Sequence, residues 1–217
     1  MQTRFTRLWR EYKGLALFVV LMLIFRSVLA DWNTVPTGSM KPTIVEGDRI
    51  LVNRLAYDLR IPFTHISLHR FADPARGDIV VIDSKAADTR LVKRVIGLPG
   101  DIVQMRNNRL TINGVEARYS GAGFTADAIF EVESYDGMTH RIELMPAGDG
   151  SFSSFGPVRV PQDSYLVLGD NRDNSADSRV HGFIPREEIL GDAKTVVLSI
   201  DYDRYYLPRM DRFFHSL

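Results

Sequence analysis

Hydrophobic residues are distributed in two different ways along this chain. Near its start, residues 15–25 form an unbroken run of eleven apolar side chains (LALFVVLMLIF). Arg4, Arg7, Arg10 and Lys13 precede the run, against the single acid Glu11. After Arg26 the apolar character resumes through Val28, Leu29 and Ala30, and Trp32 follows. Taken as residues 14–30, the segment predicts a helix of about 26 Å at ~1.5 Å per residue, the short end of a bilayer span. It has no polar face, which argues against a helix lying on a soluble core. Arg26 is close enough to the end to snorkel to the headgroups, and Trp32 suits the interface. The basic tail 1–13 predicts a cytoplasmic N-terminus, with the rest of the chain on the outer side of the membrane. A cleavable secretory signal ending at Ala30 fits the same features, apart from the interruption at Arg26. Both readings export residues 31–217.

Beyond residue 30 the pattern changes to short apolar runs separated by turns. Strands are predicted at 49–55, 78–82, 91–96, 102–105, 109–112, 129–134, 138–144, 164–168 and 195–200. Asn107-Asn108, Asn113-Gly114 and Asp136-Gly137 fall between runs and read as hairpin turns, Asn-Gly being the strongest such signal. Strands this short and frequent, with no long amphipathic helix, predict an all-β, mainly antiparallel domain. Residues 146–157 (PAGDGSFSSFGP) read as a loop. The hairpin-rich stretch 106–159 therefore reads as a β subdomain inserted into a core built from 31–105 and 160–217.

Composition narrows the chemistry. Hydrophobic residues make up 45% of the chain and charged residues 25%, enough apolar material for a buried core. Lys plus Arg and Asp plus Glu each total 27, so zero net charge gives no electrostatic reason to expect nucleic acid as partner. With no cysteine, disulfides, thiol nucleophiles and cysteine metal sites are excluded together.

Three segments concentrate residues of chemical interest. In 36–43 (PTGSMKPT), Gly38 permits a sharp turn while Pro36 and Pro42 stiffen its flanks. Ser39 on such a turn suits a nucleophile, although for the segment alone an ordinary Pro/Gly/Ser linker is the plainer account. In 90–101 (RLVKRVIGLPGD), Lys93 and Arg94 lie inside an apolar strand and must face opposite ways. One of them is expected to point inward. A buried ammonium is costly unless paired or neutral, and burial brings catalytic lysines from about 10.4 to roughly 7–8. A neutral lysine is a competent base for a serine hydroxyl; a strand-edge lysine with its head in water is the plainer alternative. In 169–179 (GDNRDNSADSR), dense polar groups after an apolar strand predict a loop held by its own hydrogen bonds and ion pairs. Read as a calcium loop from Asp173, it has Ser178 where glycine is needed and Ile184 where a glutamate is needed, which argues against calcium.

In this order and spacing, and with the strand segment RGDIVVI at 76–82, the three segments closely resemble the motifs of bacterial type I signal peptidases, over nearly the whole chain. The resemblance implies a membrane-anchored Ser/Lys serine endopeptidase that removes N-terminal signal peptides from exported preproteins without metal or cofactor. Ser39 matches the family's nucleophile and Lys93 its general base. Ser175 matches the residue that orients the lysine, and Asp177 and Arg179 match supporting residues. The oxyanion hole is implied to consist of the Ser39 N–H and the Thr37 hydroxyl. Many members have serine at that place, and threonine stiffens the side chain. Leu91 and His181 stand where aromatics are frequent. Substrates have small residues last and third-last before the cut, which implies shallow apolar pockets. Val35, Pro36, Met40, Ile44 and Val92 flank the dyad in sequence and are candidates to line them. The implied location is the inner membrane, single-pass, with the lipid bilayer as partner and Ser39 near its outer surface.

Other readings weigh less. His65 and His69 have i,i+4 spacing but no third metal ligand nearby. His181 as a triad base is redundant with Lys93. Arg76-Gly77-Asp78 serves to turn the chain into the next strand. Two other functions fit the same architecture: a specialised Ser/Lys protease processing one subunit, and a non-catalytic anchored β-domain.

Overall fold

A computed structural model describes residues 12–19, 21–22, 30–61, 64, 66–146, 150 and 152–217. Residues 12–19 and 21–22 are helical, with Leu15, Leu17, Phe18 and Leu21 exposed. No helix among the described residues is long and apolar enough to cross a membrane. The expected span 14–30 falls in part on residues 20 and 23–29, outside the described residues.

The rest is mostly antiparallel β-sheet. A nine-stranded sheet runs in the order Ala30–Thr34, Asp48–Asn53, Ile189–Asp201, Ile79–Ser84, Thr89–Gly97, Ser164–Leu168, Ile184–Pro185. Leu207–Pro208 and His215–Ser216 also pair with the long strand Ile189–Asp201. Asp48–Asn53 alternates strictly between buried and exposed positions, as a half-covered strand must. Ile79–Ser84 is covered on both faces: Ile79 and Val81 pack with Val35, Met40, Ile44 and Ile50, while Val80 and Ile82 pack with Val95, Tyr165 and Val167. Thr89–Gly97, beside it, is likewise buried on both faces over its second half. The residues at 93 and 94 are thus both inside, one on each face, rather than one in and one out.

Between the two halves of this sheet the chain forms two smaller sheets. One has four strands in the order Phe155–Arg159, Ile102–Arg106, Arg109–Ile112, Val115–Glu116; the other has Arg118–Phe124, Ile129–Tyr135 and Met138–Leu144. Their turns use consecutive left-handed residues: Asn107 and Asn108 at φ 50 and 61°, Asn113 and Gly114 at 52 and 81°, Asp136 and Gly137 at 46 and 80°. That is the geometry whose twist suits two-residue hairpins.

Several short strands, among them Ala30–Thr34, Asp58–Arg60 and Ser67–Arg70, are absent from the sequence reading, and three longer ones depart from it for physical reasons. Phe155–Arg159 begins inside the segment read as a loop. It is an edge strand, where Gly156 and Pro157 are tolerated. Arg118–Phe124 was hidden by Gly121 and Gly123, where its register shifts by a bulge. Ile189–Asp201 extends well before residue 195, with bulges at Leu190 and Lys194. At Gly191 any Cβ would lie 2.3 Å from the carbonyl oxygen of Asn53, so only glycine permits that pairing.

Candidate active site

The turn between strands Ala30–Thr34 and Asp48–Asn53 carries Ser39. Its backbone closes on itself through Lys41 N–H to Gly38 O at 3.0 Å and Ile44 N–H to Met40 O at 2.9 Å. Met40 and Ile44 are fully buried and Val35 nearly so, all within the core under the turn. They anchor the turn rather than line a cleft. Of the five residues expected to shape a substrate pocket, Pro36 is exposed and Val92 half-buried. Thr37 is exposed beside them and Ser39 half-buried.

Thr89–Gly97 brings Lys93 to this turn across 54 residues of sequence, with Nζ 2.6 Å from Ser39 Oγ. Lys93 is only 3% exposed and forms no ion pair among the described residues. Desolvation lowers its pKa to about 8, outweighing the opposing pull of Asp177 and Asp170, while Arg179 lowers it further. At this distance a neutral amine is able to accept a proton from a serine hydroxyl, and the lowered pKa brings the neutral form within reach of mildly alkaline pH.

Each of these neighbouring carboxylates is already paired with an arginine. Asp177 is fully buried. Burial alone would raise its pKa, but Arg179 donates to both its oxygens at 2.8 and 2.7 Å and Gly169 N–H adds a bond at 3.0 Å. The net result holds its carboxyl below the usual range. Asp170 is likewise depressed despite burial: Arg94, on the opposite face from Lys93, donates to it twice, at 2.8 and 2.6 Å, and Thr43 Oγ1 once at 2.5 Å. Deeper still, fully buried Arg172 forms a two-pronged pair with Glu133 at 2.8 and 2.6 Å. Of these pairs only Asp177–Arg179 lies within segment 169–179; Asp170 and Arg172 are tied to Arg94 and Glu133 of neighbouring strands, so the loop is held largely from outside itself.

Ser175 is buried against Gly169. A Cβ on Gly169 would stand 2.2 Å from Ser175 Oγ and 2.4 Å from Ser39 O, so the missing side chain is what lets the strand end pass between them. Asn171 N–H donates to Ser39 O at 3.1 Å, and Asn171 Nδ2 to Gly38 O at 3.2 Å. Lys41 and Glu46 form an ion pair at the rim of the turn, 2.8 Å apart.

The structure brings together Ser39, Lys93, Gly169 and the Asp177–Arg179 pair. His181 ends the short helix Ser178–His181, and no hydrogen bond joins it to Ser39 or Lys93 among the described residues. No group of three metal-ligating side chains occurs among the described residues; His65, of the His65/His69 pair, lies outside them. Sequence reasoning did not single out Gly169, Asn171 or Arg94. Their signal was present: a glycine directly after an apolar strand, then a run of residues able to form turns and ion pairs.

Comparison with known proteins gives a consistent picture. The family described as signal peptidase, peptidase S26, matches residues 8–198. A signal peptidase I of Pseudomonas fluorescens is 36% identical over 199 residues, covering 84% of this chain and 69% of that protein. A probable signal peptidase I-2 of Synechocystis sp. is 35% identical over 192 residues, 85% of this chain and 71% of its own. A signal peptidase I P of Bacillus subtilis subsp. natto is 34% identical over 194 residues, covering 89% of this chain and 90% of that one.

Proposed function

The chain belongs to the signal peptidase family, peptidase S26, and on that premise we propose that Ser39 and Lys93 are the residues with which it cuts. It is a serine endopeptidase that removes signal peptides from preproteins. The single observation that carries the residue assignment is the 2.6 Å approach of Lys93 Nζ to Ser39 Oγ, with that amine buried and its pKa lowered to about 8.

In this reading neutral Lys93 takes the Ser39 proton as Oγ attacks the scissile carbonyl carbon. The Ser39 N–H and the Thr37 hydroxyl hold the oxyanion. Protonated Lys93 then gives its proton to the leaving amine, and the signal peptide remains as an ester on Ser39. Returned to its neutral form, Lys93 draws a proton from water, which releases the acyl chain. Asp177 and Arg179, each neutralising the other, shape the wall beside the amine without supplying it a counter-ion. Burial of the amine, which outweighs the pull of Asp177 and Asp170, is the physical reason Lys93 can be neutral. Ser175 is assigned the orienting of the amine from its place in the motif, although its buried Oγ makes no hydrogen bond to Lys93 among the described residues, and Pro36 and Val92 the rim of the substrate cleft. Residues 31–101 and 160–217 make the catalytic core and 102–159 an inserted subdomain; the sequence boundary at 106 moves because strand Ile102–Arg106 pairs within the four-stranded hairpin sheet.

We also infer that residues 14–30 anchor the chain in the inner membrane, with 1–13 cytoplasmic, the catalytic domain outside against the lipid bilayer, and no nucleic acid as partner. The unbroken apolar run 15–25 behind four basic residues supports this. Incubating a purified preprotein with wild-type and Ser39→Ala enzyme, and sequencing the new N-terminus, tests the assignment. Wild type should cut after a small residue and the variant should not cut. Full cleavage by Ser39→Ala would remove Ser39 from the mechanism.

A further inference from the structure

Asn171 reaches both carbonyls flanking Ser39, and Gly38 O also accepts from Lys41 N–H within the turn at 3.0 Å. Asn171 N–H bonds to Ser39 O at 3.1 Å and Asn171 Nδ2 to Gly38 O at 3.2 Å. The second bond has a geometric consequence. Gly38 C=O and Ser39 N–H belong to the same peptide unit, which is planar and has its two ends pointing in opposite directions. Fixing the oxygen on the Asn171 side therefore aims the Ser39 N–H away from it, toward the side where an oxyanion would be received. The first bond fixes the next peptide plane, so the backbone on both sides of the Ser39 Cα is held.

The Asn171 amide is itself held from outside the core. Its Nδ2 also donates to Glu143 Oε1 at 3.3 Å, which uses both amide hydrogens on acceptors and settles which way the amide faces. Glu143 belongs to strand Met138–Leu144, in the hairpin sheet between the two halves of the main sheet. Its backbone is clamped on the same loop, with Glu143 N–H to Asp170 O at 2.9 Å and Arg172 N–H to Glu143 O at 3.0 Å. Buried Asn171 thus has one donor on the nucleophile turn and the other on the hairpin sheet.

We propose that Asn171 and Glu143 are positioning residues for the oxyanion hole: the hairpin sheet, through the Glu143 side chain, holds the Asn171 amide, and the amide aims the Ser39 N–H. The proposal rests on Ser39 being the nucleophile. It assigns Asn171 no contact with substrate, so its removal acts on kcat and not on substrate binding. It also gives the hairpin sheet a part in catalysis, since the sheet supplies the outer acceptor.

The test compares Asn171→Ala, Glu143→Ala and Glu143→Gln for kcat, for KM, and for the affinity of a peptidyl boronate that forms a tetrahedral anion on the serine. Small displacements of catalytic groups cost up to ~10²-fold in rate. Asn171→Ala should therefore lower kcat and boronate affinity together by about tenfold or more, with KM changed less than about twofold. Glu143→Ala should move both in the same direction by a smaller factor. Glu143→Gln, which keeps an acceptor oxygen, should restore them. Glu143 is half-buried rather than core, so its variants remain informative even where Asn171→Ala misfolds. A folded Asn171→Ala with unchanged kcat, or Glu143→Ala and Glu143→Gln both matching wild type, would overturn the proposal while leaving the nucleophile assignment intact. Ser39→Ala, run in parallel, reports on that assignment separately: full turnover there would sink the underlying reading instead.

Discussion

Replacing Gly169 with alanine adds one methyl group at the most crowded point beside the proposed dyad. Gly169 has no left-handed backbone, so the demand there is for space alone. The new Cβ would lie 2.4 Å from Ser39 O and 2.2 Å from Ser175 Oγ, where ordinary contact begins at 3.4 Å. Something must yield by about 1 Å, the difference between 3.4 and 2.4 Å. One neighbour is the backbone of the nucleophile itself and the other a buried side chain, so neither is a flexible tip. Overpacking of this kind costs about 1–3 kcal/mol of stability. Moving a reacting group by about 1 Å costs up to ~10²-fold in rate. Activity should therefore fall much further than stability: kcat lower by about a hundredfold in a protein that still folds. Cleavage kinetics and urea unfolding on the same preparation give both numbers. Gly121→Ala is the control, since it lies in a strand with nothing within 4 Å of its would-be Cβ, and should change stability by less than about 0.5 kcal/mol. A Gly169→Ala enzyme that cleaves within about twofold of wild type would refute the tight passage between Ser39 and Ser175.

Three further outcomes are expected. Activity should rise with pH through the Lys93 pKa of about 8 and level off above it, because only the neutral amine accepts the serine proton; a maximum in the acid range would point to another base. Lys93→Met should lose turnover yet gain stability at pH 7. The folded-state pKa is depressed, so below about 8 the fold carries the full cost of a buried ammonium, on the order of 3 kcal/mol. The gain should shrink as pH rises from about 8 toward the unfolded value near 10.4, and a variant no more stable than wild type at pH 7 in urea melts would contradict this. Thr37→Val should lower kcat by ~10²- to 10³-fold while Thr37→Ser keeps most of it; equal rates for valine and threonine would remove the hydroxyl from the oxyanion hole.

Local signals in the sequence carried much of the fold. Strand Ser164–Leu168 and the hairpin Ile129–Tyr135/Met138–Leu144 follow from alternation and turn residues, and the Asn and Asp residues of those turns adopt the left-handed conformations that their chemistry favours. Strands containing glycine or proline, such as Arg118–Phe124 and Phe155–Arg159, escaped because edges and bulges tolerate residues that interior strands reject. At the site, the motifs named Ser39 and Lys93, yet alternation along the strand misjudged Arg94. A strand covered on both faces has no outward side, and whether a sheet is covered twice is decided by distant segments. The same limit hid Asn171: its bonds to Ser39 and to Glu143 cross 132 and 28 residues, separations over which spacing carries no information.

In the proposed mechanism Ser39 is the nucleophile and Lys93 the base that activates it. The most direct measurement is to react the enzyme with a serine-directed acylating probe, locate the adduct by peptide mass analysis, and follow the labelling rate against pH in wild type and Lys93→Arg. Wild type should give a single adduct on Ser39 at a rate that rises through about pH 8, and Lys93→Arg should show no appreciable labelling, because arginine stays protonated. An adduct on another residue, or Lys93→Arg labelling at the wild-type rate, would contradict that mechanism.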